Sequence, residues 1–182
     1  MKIKRQYIQK KFDRENLLNK YFATPGLLPL ILVLDHLKPD FNVGKILRTA
    51  EFFSLKAVYL INIPFFDPLP AKGAVRKIPI KHFANFNECL QNLKDEEYHL
   101  YSFELSATRK LGQINFPKKS AFILGNEEFG VSFKNKDYPE ITPLIIPRLG
   151  VTESLNVAVA AGITCFEYVR QVEPKSENTI TT

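Results

Sequence analysis

The stretch Ile145-Ile146-Pro147-Arg148-Leu149-Gly150, followed by Ser154-Leu155-Asn156-Val157-Ala158-Val159-Ala160-Ala161-Gly162-Ile163, decides how this chain is read. A short apolar strand ends in a Pro/Gly-bounded turn, and a helix of small residues begins a few positions later. Ser154 is placed to cap that helix by accepting from the backbone N–H groups of residues 155–157, and the Ala/Gly face admits a second backbone or a flat ligand at close range. The helix should run to about Val172 and stop before Pro174. Working outwards, apolar runs of strand length recur at Leu30–Leu34, Ala57–Ile61, Lys77–Ile80, His99–Phe103, Ala121–Leu124 and Leu144–Ile146. Helical spacing separates several of them, as in Val43, Ile46, Leu47, Ala50 and Phe53, or Phe86, Cys89, Leu90 and Leu93. This alternation predicts one α/β domain built on a mostly parallel sheet.

Two further islands share the polar character of the first. Asn42-Val43-Gly44-Lys45-Ile46-Leu47-Arg48-Thr49-Ala50 opens a helix just after the strand at Leu30–Leu34, and Phe122-Ile123-Leu124-Gly125-Asn126-Glu127-Glu128-Phe129-Gly130 is a strand that ends in a turn carrying acids. In order and wording, the three islands resemble the three motifs of the SpoU/TrmH branch of the SPOUT methyltransferases, and they span Leu34 to Tyr168. The resemblance implies methyl transfer from S-adenosylmethionine to a ribose 2′-hydroxyl of RNA. It also implies a C-terminal trefoil knot whose loops hold the donor, and a homodimer in which motif segments of two subunits adjoin. Departures from the family pattern are Arg148 where methionine is common, Ala158 for a frequent serine, and Ser54 where glycine often follows.

The chemistry sets three demands: a weakly acidic hydroxyl must become nucleophilic, it must align with the methyl, and the adenosine part of the donor must be fixed. The usual Gly-x-Gly-x-x-Gly turn after the first strand is missing; Asp35-His36-Leu37-Lys38-Pro39-Asp40 stands there. Under the resemblance, the donor is clasped by Leu124, Gly125, Asn126, Ile145, Ile146, Pro147, Ser154 and Leu155. Arg48, six positions after Asn42, is the residue proposed in the family to activate the hydroxyl. A guanidinium with a pKa above about 12 is a poor base, so binding of the adjoining phosphate and stabilisation of the developing alkoxide is the safer physical role. Read alone, Arg48 is a surface helix arginine and Asn42 a helix cap. Glu127 matches the acid that orients the arginine or the ribose, while Glu128 has no counterpart and reads as solvated. Ser154 and Asn156 match the polar pair of the third motif, and Asn156, a poor helix former, needs a hydrogen bond to explain it.

Composition sets the outer limits. The chain has 182 residues, 45% of them hydrophobic, enough for one domain with a sizeable core. Its start is polar and no stretch reaches the roughly 20 apolar residues of a membrane span, so a soluble, cytoplasmic protein is expected. Cys89 and Cys165 read as buried, reduced thiols, and His36, His82 and His99 are too scattered for zinc, so no metal is expected. Residues 1–20 carry seven cations against two acids, a surplus of five in a chain of net charge +6. Residues 1–25 therefore read as a short basic helical extension, amphipathic through Ile8, Phe12 and Leu17, suited to phosphate contact. Lys72, Arg76, Lys77 and Lys81 form a second basic cluster, read as an RNA-facing loop. The catalytic domain is placed at 26–172, with a flexible polar tail at 173–182. The short basic helix favours transfer RNA over ribosomal RNA. Three rivals are a base-directed knotted methyltransferase, a non-catalytic RNA-binding protein of the same fold, and an unrelated nucleotide-binding α/β protein.

Overall fold

The computed structural model describes residues 2–172; the tail expected at 173–182 lies outside the described residues. Strand β1 (Leu28–Asp35, LPLILVLD) is an almost unbroken apolar run, as a parallel strand buried on both faces must be. It is central to a six-stranded sheet with β2 (Leu55–Ile61), β3 (Ile80–Phe83), β4 (His99–Phe103), β5 (Ser120–Leu124) and β6 (Ile141–Leu144). The order is β3-β2-β1-β5-β4-β6, and every pairing is parallel. Four helices accompany the sheet: α1 (Lys2–Phe22), α2 (Phe41–Phe52), α3 (Phe86–Asp95) and α4 (Val157–Val172).

Side-chain alternation along β1 builds two cores. Leu30, Leu32 and Leu34 face α2 and α4, meeting Ile46, Leu47, Ala161 and Cys165; Ile31 and Val33 face α3, meeting Cys89 and Leu93. Burial pushes both thiols, Cys89 and Cys165, up to about 12, so they pack as small apolar groups. Among the described residues, no helix is long and apolar enough to cross a membrane, and no group of three or more His, Cys, Asp or Glu side chains is placed to hold a metal ion.

Both edge strands differ from their expected positions. β3 begins at Ile80, not Lys77, because residues 74–76 form a 3-10 turn that α1 grips. Asn19 of α1 is buried and donates to the carbonyls of Val75 (2.5 Å) and Ile78 (2.7 Å). β6 ends at Leu144, with Pro143 tolerated at the sheet edge, and Ile145 makes only an isolated bridge to Lys110. The N-terminal helix α1 occupies Lys2–Phe22, within the extension placed at residues 1–25. Of its expected apolar face, Phe12 is buried against Phe66 with ring centroids 5.0 Å apart, whereas Leu17 points to solvent.

The strand order places the site. From β1 the chain moves outwards through β2 and β3, then crosses to the other side of β1 for β4, β5 and β6. The order reverses between β1 and β5, which pair through Leu34 and Leu124. Ligands of open parallel sheets bind outside the carboxyl ends of strands at such a switch point. The first two islands leave the sheet there, side by side.

Candidate active site

Asn42 joins the three islands. Its Nδ2 donates to Glu127 Oε1 at 2.8 Å, and its Oδ1 accepts from Asn156 Nδ2 at 3.2 Å. Residues 85 and 114 positions apart thereby meet on one amide. Asn42 does not cap its helix: Asp40 is the N-cap and accepts from the Phe41 N–H, which frees the Asn42 side chain to face the other two loops.

At the third island the cap is also not the expected residue. Asn156, not Ser154, precedes α4, and its Oδ1 accepts from the Ala158 N–H at 3.0 Å. The helix starts at Val157, so Asn156 is never inside it, and its two side-chain atoms serve the cap and Asn42 separately. Ser154 lies in an exposed loop and makes no hydrogen bond with a described residue. Leu155 is half exposed. Arg148 holds this loop together by donating to the carbonyls of Thr152 (3.1 Å) and Glu153 (3.4 Å), a use of the unusual arginine that the sequence did not suggest.

The second island is a rigid turn. Asn126 and Gly130 exchange backbone hydrogen bonds of 2.7 and 2.9 Å, and Gly130 adopts a φ of +73°. A Cβ on Gly125 would come within 2.3 Å of the Gly130 carbonyl carbon and 2.4 Å of the Val131 nitrogen, so only glycine permits the crossing. The Asn126 side chain accepts from Glu128 N and Phe129 N and donates to the His36 carbonyl. Its polar atoms are thus engaged in shaping the turn. Beneath it, the buried Asp35 accepts from Ser132 N (2.6 Å) and from His36 Nδ1 (2.5 Å), which ties the loop to the end of β1.

The turn presents Glu127. Besides the Asn42 amide it receives only the Lys38 N–H, at 3.4 Å, and among the described residues no cation lies within ion-pair distance of it. Glu128 pairs with Lys38 Nζ at 3.1 Å, both side chains being largely exposed. Glu127 therefore grips Asn42, not Arg48. Arg48 sits six residues farther along α2, about 9 Å by helical rise, exposed and without a hydrogen bond or ion pair to any described residue.

The expected donor clasp is assembled in part. Leu124 closes β5 in register with Leu34, next to Gly125. The Ile145 backbone donates to Arg109 O and accepts from Leu111 N, both at 2.9 Å, Ile146 packs partly buried against the main core, and Pro147 is exposed. A cavity of about 400 Å³ borders this strand end, lined by Thr108, Arg109, Lys110, Gln113 and Ile114.

The all-parallel six-stranded sheet is shared with solved RNA methyltransferases. It superposes on the AdoMet-bound rRNA methyltransferase from Sinorhizobium meliloti with a TM-score of 0.71 at 26% identity, covering 83% of this chain and 59% of that one. The fold is shared as well with the A. aeolicus TrmH/SpoU tRNA modifying enzyme, with a TM-score of 0.71, 22% identity, and coverage of 91% and 84%. The chain belongs to the SpoU rRNA Methylase family, whose model matches residues 29–166. Among sequence relatives, the 23S rRNA (guanosine-2'-O-)-methyltransferase RlmB of Xylella fastidiosa is 30% identical over 171 residues, covering 91% of this chain and 68% of the relative. RlmB of Neisseria meningitidis serogroup B is 29% identical over 154 residues, covering 82% of this chain and 61% of the relative. The chain thus spans about two thirds of the length of these relatives.

Proposed function

We propose that this protein transfers the methyl of S-adenosylmethionine to a ribose 2′-hydroxyl of RNA, at the junction where Asn42 joins Glu127 and Asn156. That junction is the observation that carries the reading. Bound S-adenosylmethionine supplies an electrophilic methyl on a sulfonium, and its sulfur leaves neutral as S-adenosylhomocysteine. The residues present suit such a group. Gly125, Ile146, Pro147 and Leu155 offer backbone and apolar surface for a flat adenosine, and Glu127, uncompensated by a cation, suits a positive sulfonium.

The role of Arg48 is to bind the phosphate next to the target ribose and to stabilise the oxygen as its proton passes to solvent water. An unpaired, exposed guanidinium is free to do this, whereas one held by a carboxylate is not. The site is completed by a second copy. On α4 and just before it, Leu155, Val159, Ile163 and Phe166 form an exposed apolar stripe at helical spacing, next to α2. The small residues of α4 are not available to such a contact, because Ala161 is fully buried in its own subunit and Ala158 half-buried against the same core. A homodimer on the stripe would bring motif segments of two subunits together, and the trefoil knot implied by the family pattern belongs to the same proposal. Phe166→Glu should convert a dimer to a monomer by light scattering; an unchanged mass would rule the stripe out.

For the substrate, the relatives' names weigh towards ribosomal RNA in place of the transfer RNA expected from the basic helix, and the cytoplasm is the corresponding compartment. The test is incubation with methyl-labelled donor and either ribosomal or transfer RNA from cells lacking the protein, followed by nucleoside analysis. Label in a 2′-O-methyl nucleoside is expected. Label on a base, or tight RNA binding without transfer, would overturn the reading in favour of a base-directed enzyme or a non-catalytic binder.

A further inference from the structure

The cations of the N-terminal half divide into two sets. Arg76 is held by both carboxylate oxygens of Glu15 (2.6 and 2.7 Å), Lys77 by Glu51 (3.0 Å) and Lys81 by Glu96 (3.1 Å). The cluster expected to face RNA is in these three residues a set of internal ties, and Arg76 with Glu15 fastens α1 to the body. The helix is thus fixed through Phe12, Glu15 and Asn19, and its opposite side is left to solvent.

That opposite side has an order. At 100° per residue, Tyr7, Lys10, Arg14, Leu17 and Tyr21 fall within an arc of about 80°. All five are exposed, Tyr7 by 57% and Tyr21 by 76%. No carboxylate belongs to the arc: Glu15 grips Arg76 on the docked side, and Asp13 accepts from Gln9. Lys11 Nζ lies 4.4 Å from the centre of the Tyr7 ring, placing a further charge beside that aromatic surface.

We propose that this stripe is a platform for an unpaired stretch of the RNA, with phosphates on Lys10 and Arg14 and nucleobases stacked on Tyr7 and Tyr21. The proposal rests on the RNA reading above and adds the class of structure recognised. Cations alone would serve a duplex equally well, because they read only the phosphate backbone. Two exposed rings about 21 Å apart along a docked helix discriminate, since stacking needs bases that are free of their own partners. The docking of α1 means that little ordering remains to be done when RNA arrives.

The test uses the full chain, a fluorescent single-stranded oligouridine, and a duplex RNA of equal length. Tyr7→Ala/Tyr21→Ala should weaken single-strand binding by about tenfold or more, with duplex binding changed by less than about twofold. Lys10→Gln/Arg14→Gln should weaken both and lower the salt slope for the single strand by about 1.4, at about 0.7 per phosphate contact. All four side chains face solvent, so far-UV circular dichroism should match the parent. Equal losses on single strand and duplex in the tyrosine variant, or no loss in either variant, would overturn the platform while leaving the methyltransferase reading intact. Failure of the unmodified protein to bind any RNA would instead sink both.

Discussion

Glu96 and Glu127 are carboxylates in polar clusters, and their surroundings could hardly differ more. Glu96 takes hydrogen bonds from Lys56 (2.7 Å), Lys81 (3.1 Å) and the Tyr59 hydroxyl (3.3 Å). Burial would raise its pKa, but the hydrogen bonds and charges of the two lysines outweigh that and hold it at about 2. Glu127 takes one side-chain amide and one long backbone contact, with no cation at hand among the described residues. The first cluster is electrically closed and ties β2, β3 and the end of α3 together. The second is left open, at the end of the sheet where the strand order reverses. A group compensated within the chain contributes to stability, and a group left uncompensated is available to a ligand.

The sharpest way to break this contrast is Arg48→Ala, because Arg48 is exposed and unpaired among the described residues, on the helix that carries Asn42. Methyl transfer should fall by about 10² to 10³, with S-adenosylhomocysteine affinity unchanged by calorimetry. Retained turnover would remove Arg48 from the chemistry.

Asn42→Asp comes next. It sets two carboxylates against each other where an amide now donates, and transfer should drop by at least about tenfold. Adding Glu127→Gln reverses donor and acceptor across the same contact, and recovery in the double variant should correspond to a coupling of about 1 kcal/mol or more. Additive losses would show that the 2.8 Å contact carries nothing.

Asn156 separates cap from contact. Asn156→Ala should cost about 1 kcal/mol in denaturant unfolding as well as activity, whereas Asn156→Ser should regain the stability and not the activity. If serine restores both, the Asn42 contact is dispensable.

The smallest effect belongs to the closed cluster. Glu96→Gln should lower stability by only about 1 kcal/mol, given partly exposed partners, and leave methyl transfer unchanged. The sign of the pH dependence follows from the direction of the shift. A carboxyl at about 2 in the fold against 4.5 unperturbed contributes stability fully above pH 4.5 and loses it as the pH falls towards 2. The variant should show a flatter stability curve across that window, measured by chemical denaturation. An equally steep curve would place the acid sensitivity elsewhere.

What the sequence made legible follows from how local each signal is. The run at Leu30–Leu34 announces a central strand because burial on both faces leaves no polar position to confuse the pattern. β3 and β6 are half-buried at their edges, so their patterns are thin and their positions slipped by three residues. Asp40 and Asn42, or Ser154 and Asn156, are each a pair of good caps two residues apart, and propensity does not choose between them. The three polar islands were visible as motifs, but their meeting on one amide depends on strand order. Arg76, Lys77 and Lys81 looked free only because their partners, Glu15, Glu51 and Glu96, lie 15 to 61 positions away.

The wide separation of Asn42's partners has a consequence for biogenesis. An emerging chain can complete β1 and α2 early, yet residue 42 has nothing to hold until residues 127 and 156 have been made and folded. A ribosome-bound or truncated intermediate that already binds RNA through its N-terminal helix would therefore be chemically silent. Methylation, in such a protein, doubles as a certificate that translation has passed Asn156.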